Sequence, residues 1–73
     1  MVSREELIKD IYEDGYKVDT SRISTYYNPT NDTSIYVLDT CFVIHKGDTG
    51  RHIALVSLEH LQSFSVLMGS LGL

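Results

Sequence analysis

Apolar residues recur at helical spacing near the start of the chain, and they predict a helix over residues 4–14 whose buried side is formed by Leu7, Ile8 and Ile11. Ser3 is placed to cap the first turn, and Glu6 completes an S-x-x-E capping pattern. Gly15 stands where a C-terminal cap is expected. The polar side of this helix collects four acidic residues: Glu6, Asp10, Glu13 and Asp14.

From Tyr16 onward the pattern is β-branched and aromatic, which favours strands. The stretch NPTND at 28–32 predicts a turn that separates two of them. Residues 33–45 are apolar at both alternating positions, which predicts one central strand covered on both faces or bulged near Asp39 and Thr40. The glycines of 46–50 predict a hairpin loop, and 52–56 predicts the return strand.

A second helix is predicted after Ser57, which is placed to cap it, and its apolar stripe is Leu58, Leu61, Phe64, Met68 and Leu71. Val66 and Leu67 fall beside that stripe, so the apolar arc is wider than one buried face requires. The predicted fold class is therefore α+β. Residues 1–73 form a single α-β-β-β-α domain, in which a helix and a three-stranded antiparallel meander are followed by a helix packed on the sheet.

Composition narrows the setting in which this domain works. A domain of 73 residues is marginal in stability, and its one cysteine cannot form an internal disulfide, which favours a reducing, cytoplasmic location. No apolar run approaches the length that spans a bilayer, so no membrane association is expected. The net charge of −4 opposes direct binding to phosphate backbones and suits a basic protein partner.

The segment DTCFVIHKGDTGRH at 39–52 raises the question of a chemical site. Cys41 and His45 lie on one face of a strand but about 13 Å apart, too far to share a metal in a regular strand. With His52 and His60 they also lack the paired close spacing of zinc motifs. A thiolate nucleophile at Cys41 would need a base within hydrogen-bond reach, which one strand does not supply. We expect no metal, no cofactor and no enzymatic activity.

Binding surfaces are the stronger candidates, although each also has a purely structural interpretation. The helix-one acids form either a docking surface for a basic groove or an ordinary solvated face. Three tyrosines on adjacent predicted strands suit either an interface or the core: Tyr26, Tyr27 and Tyr36. The apolar C-terminal segment is either core or a dimer contact formed by Val66, Leu67, Met68 and Leu71.

The run ELIKDI at 6–11, followed by Tyr16-x-Val18, a meander and a helix, resembles small acidic anti-CRISPR proteins encoded by phages. The resemblance implies a compact domain that places carboxylates in the basic groove of a nucleic-acid-handling enzyme, without catalysis. It also implies the cytoplasm of a host cell as the location.

We therefore expect a non-catalytic intracellular protein-binding module, of the type of a small phage inhibitor that docks on a host protein. The alternative is a homodimeric structural or regulatory accessory protein that uses its apolar C-terminal segment.

Overall fold

A computed structural model describes residues 2–47 and 51–73. Its elements in chain order are α1 (Arg4–Glu13), β1 (Lys17–Val18), β2 (Thr25–Asn28), β3 (Thr33–Val37), β4 (Cys41–Lys46), β5 (Arg51–Ser57) and α2 (Phe64–Ser70). The α+β class is confirmed. The three-stranded sheet is wrong, because the structure contains a five-stranded antiparallel meander in the order β1-β2-β3-β4-β5.

Helix α1 begins and ends close to the predicted residues. The Ser3 side chain accepts a hydrogen bond from the backbone N–H of Glu6 at 3.1 Å, which satisfies one of the free amides of the first turn. Gly15 follows the helix with φ +97°, a left-handed conformation that glycine adopts without steric cost. Leu7 and Ile11 are fully buried, as the helical spacing predicted.

The single strand predicted over 33–45 is wrong, because Leu38–Thr40 turn the chain back on itself. Val37 pairs with Phe42 across the new hairpin, and the backbone N–H of Leu38 donates to the carbonyl of Cys41 at 2.8 Å. Asp is depleted in strands, and its side chain favours turns by bonding to nearby backbone, so Asp39 suits this turn. The change of direction places odd-numbered residues of β3 and even-numbered residues of β4 on one buried face, which explains why both parities of the segment are apolar.

That buried face carries Ile35 and Val37 from β3 opposite Ile44 and Phe42 from β4, all nearly inaccessible to solvent. We call it the inner face of the sheet and the opposite side the outer face. The predicted turn at 28–32 is confirmed, since Asn28 pairs with Thr33 at the end of the β2–β3 hairpin. Within the loop predicted at 46–50, residues 48–50 lie outside the described ranges.

The second helix begins six residues later than predicted. Strand β5 continues to Ser57, whose hydroxyl accepts from the N–H of Glu59 at 3.3 Å and caps only a turn. Ser63 is the N-cap of α2, and its hydroxyl accepts from the N–H of Val66 at 3.4 Å. Leu58 and Leu61 are buried as predicted, but they reach the core from the connecting segment.

Both helices contribute to one core on the inner face of the sheet, and they contact each other. Leu7 and Ile11 of α1 join Phe64 and Met68 of α2 in a cluster with the inner-face side chains. The outer face therefore has no helix over it in the described part of the chain. Neither helix has the length and apolarity that crossing a bilayer requires, as far as the described residues extend.

Candidate binding site on the outer face of the sheet

A row of side chains crosses the outer face from one edge of the sheet to the other. The strand registers place five residues opposite one another in sequence: Lys17, Tyr27, Ser34, His45 and His52. We call this set the cross-strand row. A parallel row beside it contains Tyr36, which pairs with Thr25 on one side and Val43 on the other. The face thus combines rings with cationic and hydroxyl groups.

Three rings of this face form a chain of contacts with His45 in the middle. The Tyr36 ring stacks on the His45 imidazole with centroids 4.7 Å apart and planes at 30°. The His45 imidazole in turn lies 4.8 Å from that of His52. Contacts of this kind hold side chains in defined rotamers, because a rotated ring would lose its neighbour. The outer face therefore presents a partly ordered aromatic surface.

The loop between β1 and β2 supplies opposite charges at the rim of this surface. The Arg22 guanidinium donates from Nη1 to the Tyr36 hydroxyl at 2.6 Å. The Asp19 carboxylate accepts from the hydroxyl of Ser21 at 2.6 Å and from its backbone N–H at 3.0 Å. The side-chain hydrogen bond from Ser21, with the backbone bond second, lowers the pKa of Asp19. Asp19 is therefore ionised at neutral pH and acts as an acceptor.

Ser34 leaves a gap in the middle of the cross-strand row. Its neighbours Tyr27 and His45 lie two strands apart, which corresponds to about 9–10 Å between backbones. A flat ring in van der Waals contact on both sides needs about 7–8 Å. An open trough of about 390 Å³ occupies this position, and its lining includes both neighbours, Ser34, Tyr36, Asp19 and Arg22. We call it the Ser34 slot.

The Ser34 slot has the dimensions and chemistry of a site for one planar group. Its volume lies at the lower end of the range of ligand pockets, about 300–1,000 Å³. Rings supply contact area, while Arg22 donates and Asp19 accepts hydrogen bonds at the rim. The Tyr27 hydroxyl donates to the Asp32 carboxylate at 2.8 Å, which holds that wall in place.

The structure separates the three predicted tyrosines. Tyr27 and Tyr36 are half-buried and belong to the outer face. Tyr26 points to the inner face, where it is 9% exposed and meets the Tyr12 ring edge-on with centroids 5.6 Å apart. Little of the Tyr26 side chain is therefore accessible to a partner.

Sequence reasoning missed the slot residues Ser34 and Arg22. It weighed His45 only as a metal ligand or a base for Cys41, and His52 only as a metal ligand. The alternation of Ser34 and Tyr36 with buried β3 residues was the available signal. It could not indicate which strands lay on either side. That information resides in the registers of β2 and β4.

The acidic residues of α1 lie in the other layer of the molecule. Glu6 and Glu13 are exposed and Asp10 is half-buried. Their spacing of four and three residues places them in a line along one side of the helix. Asp14 is exposed at the C-cap, where its carbonyl accepts from the Asn28 side chain at 3.3 Å. The acids and the outer-face rings therefore form two separate surfaces, since the core lies between them.

Of the residues weighed for metal binding, the fold brings His45 and His52 together and leaves Cys41 half-buried further along β4. His60 is exposed in the turn after β5. Within 2–47 and 51–73, no group of three or more His, Cys, Asp or Glu side chains is arranged to hold a metal ion.

The apolar C-terminal residues divide between core and surface. Met68 is 2% exposed and belongs to the core, and Leu67 and Leu71 are partly buried against it. Val66 is 71% exposed. Of the four residues predicted as a dimer contact, Val66 thus presents most of its side chain to solvent.

No family model, curated protein or solved structure matches this chain.

Proposed function

We propose that this protein is a non-catalytic protein-binding module whose partner docks on the outer face of the sheet. The observation that carries the proposal is the Ser34 slot, a ring-lined recess on a face that neither helix covers. Partner-binding surfaces concentrate their affinity in a few aromatic and arginine side chains around well-packed recesses. Tyr27, Tyr36 and Arg22 provide that combination here.

A planar side chain of the partner enters the Ser34 slot in this proposal. It lies between Tyr27 and His45, while polar groups next to it meet Arg22 and Asp19. The Arg22–Tyr36 hydrogen bond and the Tyr36–His45 stack support the recess before binding, so less side-chain ordering opposes association. A small inhibitor or accessory factor, including one of phage origin, would use such a surface to occlude a site on its target.

Docking through the acidic line of α1 is the second candidate, and exposed Glu6 and Glu13 favour it. In that case the partner is a protein with a basic groove, and the carboxylates take the place of nucleic-acid phosphates. Complementary charge would speed the encounter and set the register.

One comparison separates the two surfaces. Ser34→Tyr fills the slot, whereas Ser65→Tyr places the same new ring at an exposed position of α2. A third variant carries Glu6→Lys and Glu13→Lys. Affinity purification from host lysate treated with nuclease would identify proteins bound by the wild type, and titration would compare the variants against the same partner.

Loss of one anchoring contact of about 2 kcal/mol corresponds to a rise in Kd of about 30-fold. We expect at least that rise for Ser34→Tyr and nearly unchanged binding for Ser65→Tyr. Full binding by a correctly folded Ser34→Tyr variant would contradict the outer-face proposal. Loss of binding in the charge-reversed variant alone would favour the acidic line.

A further inference from the structure

Strand β5 is a long, apolar strand at the edge of the sheet. Among the residues that the structure describes, it pairs with β4 alone. It runs for seven residues, whereas the opposite edge strand β1 has two. Alternate residues of such a strand direct backbone N–H and C=O groups away from the sheet, where they can pair with another chain. The stretch Ala54–Val56 contains no charged residue, no proline and no shift in its pairing with β4, which are devices that commonly protect an edge.

Apolar side chains flank this edge on both faces of the sheet. Leu55 is 66% exposed on the outer face. On the inner side, Val56 lines a trough of about 320 Å³ together with Leu61, Val66 and Leu67 of the C-terminal segment. Ala54 and Val56 are only half-buried although they pair with the buried residues Ile44 and Phe42. The edge is therefore accessible to a further strand.

We infer that β5 pairs antiparallel with β5 of a second copy of this chain, with the two-fold axis at Leu55. Facing residues of antiparallel strands point to the same face of the sheet. The two-fold axis of a self-paired strand therefore passes between the two copies of one residue, which face each other. With Leu55 on the axis, Ala54 of each copy faces Val56 of the other. This register uses the regular part of β5, since the shift in pairing with β4 lies at Ile53.

The second copy fits this edge for two reasons. The Leu55 side chains meet each other on the outer face and leave water together, which a polar strand would not achieve. The segment 51–57 also has no acidic residue, although each copy carries a net charge of −4. Pairing of these two segments therefore brings no carboxylates of the two copies face to face. The product is a continuous ten-stranded sheet with two Ser34 slots.

Light scattering and sedimentation over about 1 μM to 1 mM would measure the association of the full chain. We expect a dimer, whose dissociation constant rises at least tenfold in Leu55→Arg. Ile23→Arg is the matched control, because Ile23 is 94% exposed in the loop before β2. Both variants change exposed positions, and circular dichroism would verify that both fold. A monomer throughout this range, or a dimer unaffected by Leu55→Arg, would overturn the inference.

A disulfide test examines the register itself. In a Cys41→Ser background, Leu55→Cys places two thiols on the axis, where facing Cα atoms lie about 4.5–5.5 Å apart, within the range of disulfides. We expect rapid formation of a covalent dimer under mild oxidation, and at least tenfold slower cross-linking of Ile23→Cys in the same background. Equal cross-linking rates would contradict a Leu55-centred edge. Failure here leaves the partner-binding test of Ser34→Tyr unaffected, because the two surfaces are mutated separately.

Discussion

Replacing Phe64 by leucine tests whether α2 anchors the C-terminal segment in the core. The Phe64 side chain is 1% exposed, and its ring lies 6.4 Å from that of Tyr16 and 6.2 Å from that of Phe42, measured between centroids. Leucine keeps an apolar side chain at this position. It removes both ring–ring contacts without introducing a polar group or a large cavity.

Each aromatic pair contributes about 0.5–1.5 kcal/mol beyond the burial of its area. Loss of both contacts of Phe64 therefore lowers the free energy of unfolding by about 1–3 kcal/mol. A domain of this length has a free energy of unfolding of about 4–11 kcal/mol, so most of the variant stays folded while that free energy falls measurably.

Urea unfolding followed by circular dichroism would measure the loss, with Val66→Ala as the control on the same helix. Val66 is 71% exposed, so its truncation should change the free energy of unfolding by less than about 0.5 kcal/mol. Equal losses in the two variants, or a larger loss for Val66→Ala, would refute the assignment of Phe64 to the core and Val66 to the surface.

Three further predictions concern local features of the fold. Gly15→Ala should destabilise the protein by about 1–2 kcal/mol, because φ of Gly15 is +97°. Gly69→Ala should stabilise α2 by about 0.5–1 kcal/mol, because the space where its Cβ would lie is open. Thermal unfolding of the two variants would compare these effects. Burial is the largest cause that raises the pKa of the Tyr16 hydroxyl above its ordinary value of 10.0. The unfolded chain therefore loses this proton at a lower pH than the folded protein, and the free energy of unfolding falls above about pH 10. Tyr16→Phe should make that fall smaller in urea titrations at alkaline pH. Ser63→Ala should cost about 0.5–2 kcal/mol in urea unfolding, more than Ser57→Ala, because Ser63 caps a helix and Ser57 a turn.

Local signals predicted the first helix and the first clear turn. The cap at Ser3, the spacing of Leu7 and Ile11, and Gly15 act within a few residues of one another, and α1 forms where they indicate. The Asn-Pro turn is equally local, since Pro29 restricts its own φ and the residue before it.

The hairpin at Leu38–Thr40 was misread because alternation alone does not reveal a change of direction. A two-sided apolar segment is typical of a buried central strand, and it is also what two half-buried strands look like when a turn joins them. Asp39 and Thr40 indicated an interruption, but a bulge and a turn have similar composition. Pairing of Val37 with Phe42 decided for the turn.

The candidate site depended still more on tertiary structure. Tyr27, Ser34 and His45 come from three strands, and the registers of those strands make them neighbours. Likewise, the position of α2 decides that Met68 is core while Val66 is surface, although both belong to one apolar run.

The sequence by itself determined the fold class, the first helix and the acidic character of its polar side, because caps, turns and periodicity act over a few residues. The tertiary structure decided the number of strands, the covered face of the sheet and the contents of the Ser34 slot. Those features follow from pairing and packing between distant segments, whose energies depend on the whole fold and which no short stretch of sequence records.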